Sequence, residues 1–229
     1  TVTGPAKEST TTIPIVMSQD NDPVATGFVA SLARPGGNIT GLSTYHPELS
    51  GKRLEILKEV LPKVSGVAVF GTSINPGNAQ TLKEVELAAR VLKVQLQYTD
   101  VLDPKDFESA FRAAVKGRAG GVLWLVSGAI AGGHQKMILD LVVKNRLPVI
   151  YHLPSWVSDG GLMSYGVDLA DLDRRAATFV DKIIKGRMSA DLPVEQPMKF
   201  DFVVNLKAAK DIDLTIPPNV LVRATKVIR

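Results

Sequence analysis

Gly71-Thr72-Ser73-Ile74-Asn75 follows an apolar run at 67–70 and opens a helix-length stretch, the setting in which a Gly-x-Ser-x-Gly elbow presents a nucleophile. Asn75 stands where that elbow needs its second glycine, and Pro76 follows, so Ser73 and Asn75 read as binding or capping residues. The three histidines, His46, His134 and His152, share no two-ligand spacing and do not spell a zinc site. His134 sits near a helix start and reads as surface; His152 follows a buried strand beside Tyr151 and can face a cleft. Gly128-Ala129-Ile130-Ala131-Gly132-Gly133 also joins a strand to a helix, but it is not Gly-x-Gly-x-x-Gly and no acid ends the next strand. No Gly-Lys-Ser/Thr is present, which leaves out a P-loop. Asp20, Asp22 and Asp103 read as turn or cap residues, and no two carboxylates stand out as an acid/base couple. The sequence assigns no catalytic residue, no metal ligand and no cofactor.

What remains is a line of small polar and aromatic residues just past the strands: Ser18, Gln19 and Asp20; Thr72, Ser73 and Asn75; Ser127; Tyr151 and His152; Ser164 and Tyr165. Open α/β sheets bind ligands at the C-terminal ends of their strands, and hydroxyls with free backbone N–H groups there suit a carboxylate. Trp156 can stack on an apolar ligand; for Trp156 and Tyr165 the alternative is core packing. Trp124, in mid-strand, reads as core.

The elements that must position these residues alternate along the chain. Strand-length apolar runs occur at 13–17, 38–42, 67–70, 94–99, 121–126, 148–151, 162–165 and 199–204. Helix-length stretches occur at 23–33, 47–61, 79–92, 104–116, 133–145 and 168–185. Val122-Leu123-Trp124-Leu125-Val126 is apolar throughout, as in a strand buried on both faces, and regular β-α-β alternation implies a doubly wound parallel sheet. Asp22 before Pro23 and Asp103 before Pro104 are helix-start signals; Gly117 and Gly186 follow lysines as helix stops. Leu54, Leu57, Val60 and Leu61 recur at helical spacing and form one buried stripe.

With 229 residues, 45% hydrophobic and 22% charged, the chain can bury one large or two small cores. No apolar run reaches the roughly 18 residues of a membrane helix. There is no cysteine, hence no disulfide or thiolate chemistry. The net charge of +4 is spread among acids, as in Lys52-Arg53-Leu54-Glu55, which reads as a solvated mixed surface rather than a nucleic-acid patch.

Longer spellings carry further information. Ile13-Pro14-Ile15-Val16, Asp22-Pro23-Val24, Leu32 and Arg34 before Pro35-Gly36-Gly37-Asn38, and Gly160-Gly161-Leu162-Met163-Ser164-Tyr165-Gly166 form one set. Lys199-Phe200-Asp201-Phe202-Val203-Val204-Asn205-Leu206-Lys207-Ala208-Ala209-Lys210, then Leu214-Thr215-Ile216-Pro217-Pro218, form another. Together they resemble the bacterial ABC-transporter substrate-binding proteins, the family that includes the tryptophan/phenylalanine-uptake binding proteins. The resemblance implies an α/β fold of type I periplasmic-binding-protein type, with two doubly wound parallel-sheet lobes, the first incomplete. It places lobe 1 at 1–45 and 167–190 and lobe 2 at 46–166 and 191–229, with crossings at 40–47, 166–170 and 191–198. It implies a solute-binding component of an ABC importer, periplasmic or extracytoplasmic, that clamps an amino acid or small aromatic or organic acid between its lobes. The partners it implies are that ligand and a membrane permease, with no bond made or broken; an export signal and part of lobe 1 are expected upstream of Thr1. Two other classes stay open: an α/β hydrolase-like enzyme using Ser73 or His152, and a repressor-type cytosolic ligand-sensing domain.

Overall fold

The computed structural model describes residues 2–44, 47–75 and 77–229. Tyr45 and His46, within the crossing expected at 40–47, and Pro76 lie outside the described residues. The elements in chain order are α1 Thr3–Ser9, β1 Ile15–Asp20, β2 Ile39–Ser43, α2 Glu48–Val60, β3 Gly66–Gly71, α3 Asn78–Leu92, β4 Gln95–Asp100, α4 Asp106–Lys116, β5 Val122–Leu125 and α5 Gly128–Ala131. They continue with α6 Gln135–Asn145, β6 Val149–Tyr151, α7 Pro154–Ser158, β7 Met163–Val167, α8 Leu169–Ile184, a 3-10 turn Ser189–Asp191, β8 Phe200–Asn205, α9 Leu206–Asp211, α10 Pro218–Leu221 and β9 Lys226–Ile228. The chain divides into two compact units, Thr1–His46 with Val167–Phe200 and Pro47–Gly166 with Asp201–Arg229. Residues 191–200, expected with the second lobe, run with the first unit, where Val194 N–H donates to Leu32 O at 2.7 Å and Glu195 N–H to Gly41 O at 2.9 Å.

In the larger unit a seven-stranded sheet runs in the order β4-β3-β5-β6-β7-β8-β9. The pairs β3–β4, β3–β5, β5–β6, β6–β7 and β8–β9 are parallel. Alternate residues serve opposite faces, so the central strands are apolar throughout. Val67, Val69, Leu123, Ile150 and Met163 pack with Leu54 and Leu57 of α2 and Val85 of α3. Ala68, Phe70, Trp124 and Tyr151 pack on the other face with Phe107 and Phe111 of α4 and Ile138 of α6. β9 is short and partly exposed, and the sequence carried no signal for it.

In the smaller unit β1 and β2 pair in parallel, with Ile15 opposite Ile39 and Met17 opposite Gly41, and α8 packs on both strands. A side chain on Gly41 would put its Cβ 2.1 Å from Met17 O, at a φ of +125°, so only glycine fits. Met17, Val29, Ile39 and Val194 form the unit's small core. The helix expected at 23–33 is absent. Asp22 Oδ1 does accept from Ala25 N–H at 3.0 Å, and one helical turn starts. Gly27 then adopts φ +69°, Phe28 and Val29 N–H both turn back to Pro23 O, and Ala30 N–H goes to Pro35 O. Left-handed glycine ends a helix, and the turn delivers Val29 into the core.

Candidate functional site

The polar residues singled out from the sequence divide between the two units. In the smaller unit Ser18, Gln19 and Asp20 close β1. Ser18 is half-buried, and Gln19 Nε2 donates to Asp173 Oδ1 of α8 at 2.8 Å. Asp20 is buried; its Oδ2 accepts from Thr3 Oγ1 at 2.5 Å, while Oδ1 has no partner among the described residues.

In the larger unit the residues gather at the C-terminal edge of the sheet. Thr72, fully buried after β3, donates Oγ1–H to Val101 O and accepts from Ser127 N–H, both at 3.1 Å. It ties together the loops that follow three neighbouring strands. Ser127 in turn accepts from Ala129 N–H at 3.3 Å and caps α5. Asn75 takes part through its backbone, its N–H donating to Thr72 O at 3.0 Å. The loop is therefore held by backbone hydrogen bonds; Asn75, expected as a binding or capping residue, is not the cap of α3, whose N-cap is Gly77 without a side-chain cap hydrogen bond.

Ser73 is exposed and donates Oγ–H to Asp100 Oδ2 at 2.5 Å, while its N–H donates to Oδ1 at 2.8 Å. Burial pushes the Asp100 carboxyl up, but hydrogen bonds from Ser73, Tyr98 and the Val101 backbone outweigh it and hold the group below its ordinary value. A carboxylate held low is a weak base, and the pair links the β3 and β4 loops.

Tyr151 and Trp156 lie in the core. Their rings are stacked, with centroids 4.8 Å apart and 3° between planes, and Trp124 sits 5.3 Å from Trp156. The stacking partner of Trp156 is thus Tyr151, and burial alone pushes the Tyr151 phenol far above its ordinary range. Because Leu123 pairs with Ile150 and Tyr151 with Ser164, the residues Trp124, Tyr151 and Ser164 stand side by side across β5, β6 and β7. The Trp124 Nε1, Tyr151 Oη and Ser164 Oγ atoms have no hydrogen-bond partner among the described residues. Tyr165 is half-buried and packs edge-on to Phe202 at 6.4 Å.

His152 is half-buried at the end of β6. Burial, and then the positive field of Arg53, hold its imidazole down to about 3, so it is neutral at physiological pH. That Arg53 is the residue sequence reasoning missed. In Lys52-Arg53-Leu54-Glu55 it reads as surface charge; Lys52 and Glu55 do pair at 2.6 Å on the surface, but Arg53 is only 7% exposed. Its Nε–H donates to Tyr165 O at 2.6 Å and Nη1–H to Ser50 Oγ at 2.9 Å. Burial lowers the guanidinium to about 10, with Tyr165 opposing the shift, so it stays charged at neutral pH. A signal existed: Arg53 lies four residues from both Leu49 and Leu57, on the buried stripe of α2.

Among the described residues no group of three or more His, Asp or Glu could hold a metal ion, and no helix is long and apolar enough to cross a membrane. The arrangement leaves one buried cation with unused N–H groups beside the end of β7, which suits recognition of a small polar or anionic solute.

The family model for ABC transporter substrate binding proteins matches residues 3–228. A tyrosine-binding protein of Clostridioides difficile is 25% identical over 210 residues, 91% of this chain and 59% of that protein. The chain therefore spans less than two thirds of the length of that relative. A solved conserved domain protein from Vibrio cholerae superimposes with a TM-score of 0.83 at 31% identity, over 98% of this chain and 75% of the other. The ABC domain from Streptococcus pneumoniae in complex with L-Trp superimposes with a TM-score of 0.84 at 25% identity, over 99% of this chain and 77% of the other.

Proposed function

We infer, for a chain that belongs to the ABC transporter substrate binding protein family, the role of solute-binding component of an ABC importer. It binds one small molecule outside the cytoplasm and hands it to a membrane permease, and it makes and breaks no bond. The observation that carries this reading is the family match over 3–228, nearly the whole chain. The ligand class we assign is an aromatic amino acid. Relatives that bind tyrosine or hold L-Trp support it, as does the buried guanidinium beside β7 in the larger unit. Ser73 and Asp100 serve to brace the β3 and β4 loops, and His152, neutral, serves as a polar wall residue rather than a base.

Calorimetric titration with L-tyrosine, L-tryptophan, L-phenylalanine and a control set of aliphatic amino acids and sugars tests the ligand class. Binding by at least one aromatic amino acid is expected, with a stabilisation of about 2.7 kcal/mol, seen as a rise in melting temperature, at a hundred times the dissociation constant. Binding of a sugar alone would overturn the assignment. Incubation with ester, amide and phosphoester panels is expected to give background rates for wild type and Ser73→Ala alike; a rate that Ser73→Ala abolishes would make the chain an enzyme.

A further inference from the structure

We propose that Arg53 is the group that binds the carboxylate of the solute. The assignment rests on the amino-acid-binding reading above and names the residue through which the charge is recognised.

A guanidinium taken out of water costs several kcal/mol unless an anion and a full set of acceptors replace its hydration. Among the described residues Arg53 has no paired carboxylate and only part of its acceptor set. It is nine-tenths buried, yet its hydrogen-bonding partners are two neutral oxygens, Tyr165 O and Ser50 Oγ. No carboxylate of the described residues forms a salt bridge with it, although the neighbouring Lys52 has Glu55, and Arg174, Arg175 and Lys199 all reach Asp171. Two of its five N–H groups are used, and those on Nη2 have no partner among the described residues. Planar guanidinium edges are built to receive carboxylates.

Its position agrees. The side chain leaves the second turn of α2 and lands on the carbonyl of Tyr165 in β7, near the C-terminal edge of the parallel sheet, where open α/β sheets bind ligands. His152, which feels the positive field of Arg53, is neutral and adds no second positive charge beside it. Tyr165 O and Ser50 Oγ fix two edges of the guanidinium, so little side-chain freedom is left to lose when an anion docks.

The test pairs a change in the protein with a change in the ligand, measured by calorimetry on the full chain. Wild type is titrated with L-tyrosine, L-tryptophan, their decarboxylated amines tyramine and tryptamine, and 3-phenylpropionate. The same ligands are then titrated into Arg53→Gln and Arg53→Lys. Arg53→Gln is expected to weaken the amino acids by about 10- to 100-fold, the range for a hydrogen bond to a charged group, and to leave the amines unchanged. Arg53→Lys keeps the charge without the fork and is expected to fall between. Equal affinity of Arg53→Gln and wild type for L-tyrosine would overturn the assignment and leave the amino-acid function standing. Equal weakening of tyrosine and tyramine would show a purely structural arginine and also overturn it. Should Arg53→Gln not fold, the wild-type comparison decides: tyramine bound as tightly as tyrosine refutes a carboxylate contact. Binding of 3-phenylpropionate but no amino acid, lost in either variant, would uphold Arg53 while refuting the amino-acid reading. Failure of wild type to bind any of the five would refute both.

Discussion

Trp156 lies face to face with Tyr151, their ring centroids 4.8 Å apart and their planes within 3°. The stack joins α7 to β6 and closes the core face that Trp124, Phe70, Phe107 and Phe111 fill. A tryptophan so placed supports the fold. Trp156→Ala is expected to cost about 3–5 kcal/mol of unfolding free energy, and Trp156→Phe less, because a phenyl ring keeps part of the contact. Urea denaturation of the three proteins measures this. An alanine variant of unchanged stability and weakened ligand affinity would instead make Trp156 a ligand platform.

Thr72 is the corresponding polar brace. Its hydroxyl both donates to Val101 O and accepts from Ser127 N–H in a fully buried position. Thr72→Val keeps the shape and leaves both partners unsatisfied, which is expected to cost about 1–3 kcal/mol. Thr72→Ser keeps the hydroxyl and is expected to lose less. Denaturation midpoints separate the two; a larger loss in Thr72→Ser than in Thr72→Val would mean that the methyl packing matters more than the hydrogen bonds.

Gly41 carries a steric constraint in the smaller unit. Gly41→Ala would drive a Cβ into the Met17 backbone and is expected to destabilise the β1–β2 pair by more than about 2 kcal/mol. Gly37 has no atom within 4 Å of its would-be Cβ, so Gly37→Ala is expected to be neutral or slightly stabilising. Hydrogen exchange of residues 15–20 and 39–43 reads the difference. Unchanged protection in Gly41→Ala would show that the strands do not approach this closely.

His152 sets a pH dependence with a definite sign. Its pKa falls from 6.5 to about 3 on folding, through burial and then Arg53. Between those values the unfolded chain binds the proton that the folded chain refuses, so stability is fully present above about 6.5 and declines as pH falls toward 3. The slope from this group is at most about 1.4 kcal/mol per pH unit, and the half-buried ring keeps it below that limit. His152→Gln is expected to remove this share of the acid sensitivity. Urea midpoints of both proteins at pH 7.5 and 5.0 check it; an equal drop in each would place the titration elsewhere.

Much of the architecture was legible before any coordinates. Parallel strands buried on both faces must be apolar at every position, so 67–70, 121–126 and 148–151 stood out as unbroken runs, and helices between them followed from the 3.6-residue period. The polar strand ends were legible for the same reason: the apolar run stops where the sheet does. The expected helix at 23–33 rested on Asp22-Pro23, a sound helix start; Gly27 at φ +69° within the segment and the packing of Val29 into a small core decided otherwise. Arg53 shows the limit most clearly. Its spacing from Leu49 and Leu57 puts it on the buried stripe, but a long cationic side chain at such a position can also carry its charge out to water, so the local spelling leaves the burial of the guanidinium undecided. Burial came from β7, 112 residues further along the chain, which sets the Tyr165 carbonyl against the guanidinium. The sequence by itself determined the elements, since periodicity and turn chemistry act over a few residues. Only the tertiary structure decided which polar groups lost their water, because desolvation depends on what the rest of the chain brings alongside.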